Sequence, residues 1–250
     1  MAVSIDTVYQ RVLALANKEQ RGYITPQEFN LFADHAQMEI FEQYFYDLNQ
    51  FSRAPNNDMD YANITSNLQD KISLFEMYNE NVDTINEWGD VDLNAIENLY
   101  RLGTVRVKYY NQSQAHVAEE IQVKEHDLYT NSRIAKYTEQ WPVYFKRVKK
   151  SSAFHYPRQI KIIPNPNTEN GDWVKISYIK KPLKPSWGYI VVNDKPLYNS
   201  QTSINFDLHE SEESELVYRI LVLFGINLKE PQLGQTAAAL EAGKVQQEKQ

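Results

Sequence analysis

The sequence predicts an α+β protein: a helical body formed by N- and C-terminal helices, with an antiparallel β layer inserted between them. Three observations predict it. Apolar residues recur at helical spacing through about the first hundred positions, alternate with polar ones after Gly103, and return to helical spacing after His209. These changes of period divide the chain into residues 1–103, the N-terminal helical part of the body, 104–207, the β layer, and 208–250, C-terminal helices that complete the body and dock on a partner. At 250 residues, 42% of them hydrophobic, the chain has enough apolar surface to bury a sizeable core.

The first helix is expected over residues 4–19, where Ile5, Val8, Val12 and Leu15 share a face and Ser4 is placed to cap it. Thr25-Pro26-Gln27-Glu28 is a capping box with proline at the first helical position, so it opens a second helix. Phe29, Ala33, Ala36, Ile40, Tyr44 and Leu48 carry the stripe of that helix to about residue 50. Phe32, Phe41, Phe45 and Tyr46 widen it, so it either sits at the centre of a bundle or meets both its own core and another chain. Ser66, Leu68, Ile72 and Phe75 predict a third, shorter helix, and Asn94, with Glu97 three residues on, caps a fourth running to Leu102.

Val105, Val107 and Tyr109 alternate, as do Ile121 and Val123; Val143, Phe145 and Val148 do so less regularly, and Ile160 and Ile162 follow. Asn170-Gly171 between Arg158–Pro164 and Trp173–Tyr178 signals a hairpin, and Asn193-Asp194 signals another between Ile190–Val192 and Pro196–Tyr198. The run Lys146-Arg147-Val148-Lys149-Lys150 suits a charge-protected strand edge or a contact with an acidic partner. Leu216, Ile220 and Leu223 then mark a helix capped at Gly225. A last, alanine-rich helix begins at Pro231 and runs through Leu233, Ala237, Leu240 and Val245. Its apolar face is thin, so it either needs a partner to be stable or frays on the surface. Leu233, Ala237, Leu240 and Val245, with Phe41, Phe45 and Tyr46, are the candidate interface residues.

Composition narrows the function classes. With no cysteine there is no disulfide framework, thiolate metal site or cysteine nucleophile, which fits assembly in a reducing cytoplasm. The N-terminus lacks the pattern of a secretory signal, and no apolar run is long enough for a membrane span. The net charge of −7 disfavours strong binding of a phosphate backbone. His35, His116, His126, His155 and His209 lie far apart without HxH or HExxH spacing, and no phosphate loop, dinucleotide motif or GxSxG elbow is present. The Asn56–Asp60 stretch has calcium-friendly oxygens but lacks the turn glycine and distal glutamate of an EF-hand. Carboxylate pairs such as Glu119-Glu120, Glu212-Glu213 and Asp90/Asp92 are what an acidic chain supplies by chance. The expectation is a non-enzyme with no cofactor and no metal. Seventeen tyrosines add amphipathic rings suited to interfaces or to a half-wet sheet.

Several segments resemble the head-to-tail adaptor or ring proteins of podovirus-type phages, a group that includes tail tubular proteins, and in particular the ring proteins of crAss-like phages. They are Val8-Tyr-Gln-Arg-Val-Leu13, Asn17–Asn30, Glu39–Asn49, Glu97–Leu102, Tyr178–Trp187 and the stretch Glu213–Gln250. The resemblance implies a virion structural protein at the portal/tail junction, assembled in the host cytoplasm as a closed, twelvefold homo-oligomeric ring. Its partners would be the portal, further tail or ring proteins, and genomic DNA that passes through the channel without specific binding. Closing heterologous contacts would produce such a ring. The rival readings are a monomeric virion or host-interaction module and a carboxylate-dependent hydrolase.

Overall fold

The computed structural model describes residues 3–18, 24–51, 64–82, 85, 89–93, 96–131, 138–148, 158–227, 239 and 242–243. The chain is mixed α+β and divides into two compact units, Met1–Leu74 with Pro182–Gln250, and Phe75–Lys181. The expected boundary at 103/104 falls inside a strand. Among the described residues no helix is long and apolar enough to cross a membrane.

The first unit contains α1 (Ile5–Lys18), α2 (Pro26–Phe51), α3 (Ile64–Ser73) and, near the other end of the chain, α5 (Glu213–Asn227). Local chemistry sets the helix starts. The Ser4 hydroxyl accepts from the Thr7 N–H, and at α2 the Thr25 hydroxyl accepts from the Glu28 N–H while the Glu28 carboxylate accepts from the Thr25 N–H. The α2 stripe is buried at Phe29, Ala33, Ala36, Ile40, Phe41 and Tyr44, and α2 packs on α3 and α5. α5 runs past Gly225 to Asn227, so that glycine is not its cap. A buried polar cluster ties these helices together. Arg219 of α5 pairs with Glu215 at 2.7 Å and Glu39 at 3.6 Å and donates to Gln43, and Lys71 of α3 pairs with the buried Glu212 at 2.5 Å.

The second unit is a curled seven-stranded sheet, together with the short helix α4 (His126–Asn131). Its strands are β1 (Glu76–Asn81), β2 (Asp90–Asp92), β3 (Leu99–Lys108), β4 (His116–Glu120), β5 (Val143–Val148), β6 (Arg158–Ile163) and β7 (Trp173–Lys180), in spatial order β1-β7-β3-β4-β5-β6-β2. Val91, Val105, Val107, Ala118, Ile160, Val174 and Ile176 converge from five strands on one buried cluster inside the curl. An isolated antiparallel bridge pairs Ile85 with Val91 of β2. β5 alternates in register with this curl: Tyr144 faces the inner cluster, while Val143 and Phe145 join Ile121 and Ile163 in a second one.

Four sequence expectations are corrected here. The expected helix to Leu102 is not formed in its described part: Leu99–Leu102 begin β3, whose β-branched continuation through Val105 and Val107 outweighs the Asn94 cap signal. β6 and β7 are not hairpin partners but lie on opposite sides of β3, β4 and β5. The intervening Asn167–Gly171 forms a capped 3-10 turn, with Gly171 at φ 89 and the Asn167 side chain accepting from the Glu169 N–H, and prolines 164 and 166 supply no ladder donors. The layer is not wholly antiparallel, because β4 and β5 pair in parallel. Ile121 and Val123 lie beyond the end of β4 and form no strand, and Lys146 is bound to Glu120 at 2.8 Å.

Candidate interface on the first unit

The Asn193-Asp194 signal does form a hairpin. Both residues have positive φ, 50 and 62, as a two-residue primed turn requires, and they join β8 (Tyr189–Val192) to β9 (Lys195–Tyr198). This two-stranded sheet belongs to the first unit and is separate from the seven-stranded one.

Its base is tightly held. Trp187 is buried at the foot of β8, 4.4 Å from Tyr9 of α1 and within 6 Å of Tyr189 (5.9 Å) and Tyr198 (5.8 Å), ring to ring. Its indole N–H donates to Asp6 at 3.0 Å, and Asn30 of α2 brackets its backbone, accepting from the Trp187 N–H at 2.7 Å and donating to the Trp187 carbonyl at 3.3 Å. Gly188 admits no side chain: a Cβ there would meet the Thr202 hydroxyl at 2.1 Å. The fully buried Gln37 latches both ends of the arm, donating to the Leu183 carbonyl at 2.8 Å and accepting from the Asp207 N–H at 3.0 Å.

The tip has no such cover. Ile190 is 55% exposed, Val191 60%, Val192 46% and Leu197 54%. Ile190 and Leu197 face each other across the strands, and Val191 faces Pro196 on the opposite side, so both faces of the hairpin present apolar groups to water. A lone two-stranded hairpin is marginal in water, and an apolar one on a rigid base is built to be covered. It has no catalytic chemistry of its own. What it offers is a preorganised apolar knob with open backbone edges.

Of the interface residues expected from the sequence, the described ones, Phe41, Phe45 and Tyr46, lie on α2. Phe41 is fully buried and meets Phe45 edge-on at 5.1 Å, so it serves the core; Tyr46 is 69% exposed on the same helix. Leu233, Ala237, Leu240 and Val245 lie outside the described residues. The knob itself was missed as a site, although its signal was present: four consecutive apolar residues end at a primed turn with no helical or buried-strand continuation. Near the ends of α2 and α3 lies a cleft of about 430 Å³ bordered by Gln43, Asp47, Leu68, Lys71 and His209. Lys71 is already committed to Glu212, and His209 accepts from the Ser211 N–H at 3.3 Å in capping the turn before α5. Among the described residues no cluster of His, Asp and Glu is arranged to hold a metal ion. No protein-family model matches this chain, and no curated protein matches it significantly.

Proposed function

We propose that this chain is a non-catalytic virion structural subunit that assembles head to tail into a closed ring at the phage portal/tail junction, contacting the portal and further tail or ring proteins around the DNA channel. In this reading the helices from the two ends of the chain form a body that carries the β layer as an insertion, and the protein reaches the virion by assembly in the host cytoplasm. The observation that supports it most is the β8–β9 knob. A subunit that worked alone would gain nothing from an unprotected apolar hairpin and would risk aggregation through it. A knob on one copy that seats on a different surface of the next makes a heterologous contact, the kind that closes rings.

The test is the mass of the full-length protein by light scattering, alone and mixed with the portal, for the parent and for an Ile190→Asp/Val191→Asp variant. Both side chains are more than half exposed, so the monomer's stability should change by no more than about 0.5 kcal/mol per site. Ring formation or portal binding lost in the variant supports the assembly reading. A parent that stays monomeric with and without the portal, or a variant that assembles like the parent, overturns it.

A further inference from the structure

The outward face of β3 and β7 carries cations in an arrangement that lacks matching carboxylates. In the strand register Arg106 lies directly opposite Lys175, and Lys108 opposite Trp173. This face is the outer one, because the intervening Val105, Val107, Val174 and Ile176 point into the buried cluster, and Val117, opposite Arg106 on β4, is 59% exposed. Like charges opposed across neighbouring strands repel, and among the described residues none of the three cations is paired with a carboxylate. Asp172 lies close by, but its carboxylate is used on backbone, accepting from the Tyr110 N–H at 2.6 Å and the Asn167 N–H at 2.7 Å.

Two of the three cations, Arg106 and Lys175, are also held in place. Arg106 Nη1 donates to the Tyr78 hydroxyl at 2.6 Å and to Asn79 Oδ1 at 2.7 Å, with its guanidinium 4.9 Å over the Tyr78 ring. Lys175 Nζ lies 4.8 Å over Trp173. Asn79 reaches its position through a β-bulge at φ 56, a device that re-aims a side chain. Arg106 holds the Tyr78 phenol below its ordinary value, through the hydrogen bond first and then the charge. A depression beside the row is lined by Asn81, Thr168, Asp172, Trp173 and Lys175; Asn81 and Thr168 add amide and hydroxyl groups of the kind that bind phosphate and sugar oxygens, and Asp172 is the carboxylate already used on backbone.

We infer that the β3–β7 face, through Arg106, Lys108 and Lys175, is a sequence-independent contact for the phosphate backbone of duplex DNA. Cations spread over neighbouring strands, two of them held by their neighbours and none paired with a carboxylate among the described residues, match a line of phosphates. The Tyr78 and Trp173 rings lie under their own cations and are not free platforms for unstacked bases, which favours a duplex over a single strand. The inference is independent of the proposed assembly role, because it concerns another unit of the chain and other residues.

The test is anisotropy of a labelled mixed-sequence duplex titrated with the full-length protein at several salt concentrations. Three phosphate contacts give a slope of log K against log salt of about −2.7, or about 40-fold weaker binding between roughly 50 and 200 mM salt. Lys108→Gln/Lys175→Gln leaves the Arg106–Tyr78–Asn79 contacts intact and should reduce the slope to about −0.9. Lys146→Gln, which removes a cation already paired with Glu120, should leave it unchanged. The inference is overturned if the duplex does not bind at low salt, if the double variant binds like the parent, or if Lys146→Gln loses as much per charge. It is also overturned if the equivalent single strand binds more tightly, or if the double variant alters self-association and leaves DNA binding intact.

Discussion

Trp187→Ala tests whether one buried indole holds the knob to its base. The ring is 2% exposed and packs against Tyr9, Tyr189 and Tyr198, so its removal should cost about 3–5 kcal/mol through lost burial and the cavity left behind. Asp6 also loses its indole donor, but its half-buried carboxylate can turn to water, so this part adds no more than about 1 kcal/mol. Against the roughly 5–15 kcal/mol that holds a typical domain folded, the total is a large fraction. Trp187→Phe separates the two contributions. It keeps most of the aromatic packing and loses the N–H, so it should cost about 1–2 kcal/mol plus whatever the smaller ring leaves unfilled. Urea unfolding followed by far-ultraviolet dichroism is the appropriate assay, because four of the five described α-helices, and all of the longer ones, belong to the unit that contains Trp187. The midpoint should fall with the slope unchanged. A loss below about 1 kcal/mol for Trp187→Ala, or equal losses for the Phe and Ala variants, would show that the indole packing does not anchor the hairpin.

Two further outcomes follow from local chemistry. Thr25→Ala removes the hydroxyl that caps α2 and should cost about 1 kcal/mol in the same urea titration, whereas Glu28→Gln, which can still accept from the Thr25 N–H, should cost less; equal losses would refute the capping box. At alkaline pH the sheet should weaken. Burial, and then the Glu120 charge, push the Tyr144 phenol up to about 12, and burial raises the Tyr109 phenol further while its hydroxyl donates to the Pro164 carbonyl at 2.7 Å. Their folded pKa values lie above the unfolded value near 10, so these tyrosines contribute full stability below pH 10, and that contribution is lost as pH rises through the folded values. Stability measured in urea from pH 9 upward should therefore fall more steeply in the parent than in a Tyr109→Phe/Tyr144→Phe variant; parallel curves would refute the assignment.

How much of the fold was legible depended on how local its cause was. The α2 start could be read from four residues because the capping box is closed by its own side chains, and the β8–β9 turn could be read from Asn193-Asp194 because positive φ selects those residue types. The partner of β7 could not. Asn170-Gly171 reads as a hairpin between two apolar runs, but strand pairing is decided by which faces bury together. Val174 and Ile176 bury with Val105 and Val107 of β3, some seventy residues away in sequence. Periodicity gives the facing of a strand but not the identity of its neighbour. The same limit explains Leu99–Leu102, where a helical cap signal was outweighed by long-range pairing with Tyr178 and Lys180.

The two surfaces were hidden from the sequence for different reasons. At the knob the apolar residues were visible, but an apolar strand next to a turn ordinarily means core; only the isolation of β8 and β9 from the larger sheet exposes them. On the β3–β7 face the cations were visible too, but the net charge of −7 argued against phosphate binding because it averages over unlike parts. Residues 75–181 hold 15 Lys and Arg against 14 Asp and Glu, whereas the rest of the chain holds 11 against 19. Fields act over about a Debye length, roughly 8 Å in physiological salt, so a phosphate at Arg106 responds first to its immediate strand neighbours Lys108 and Lys175. The sign of the whole chain therefore governs its colloidal behaviour, while the sign of a surface a few residues across governs what it binds.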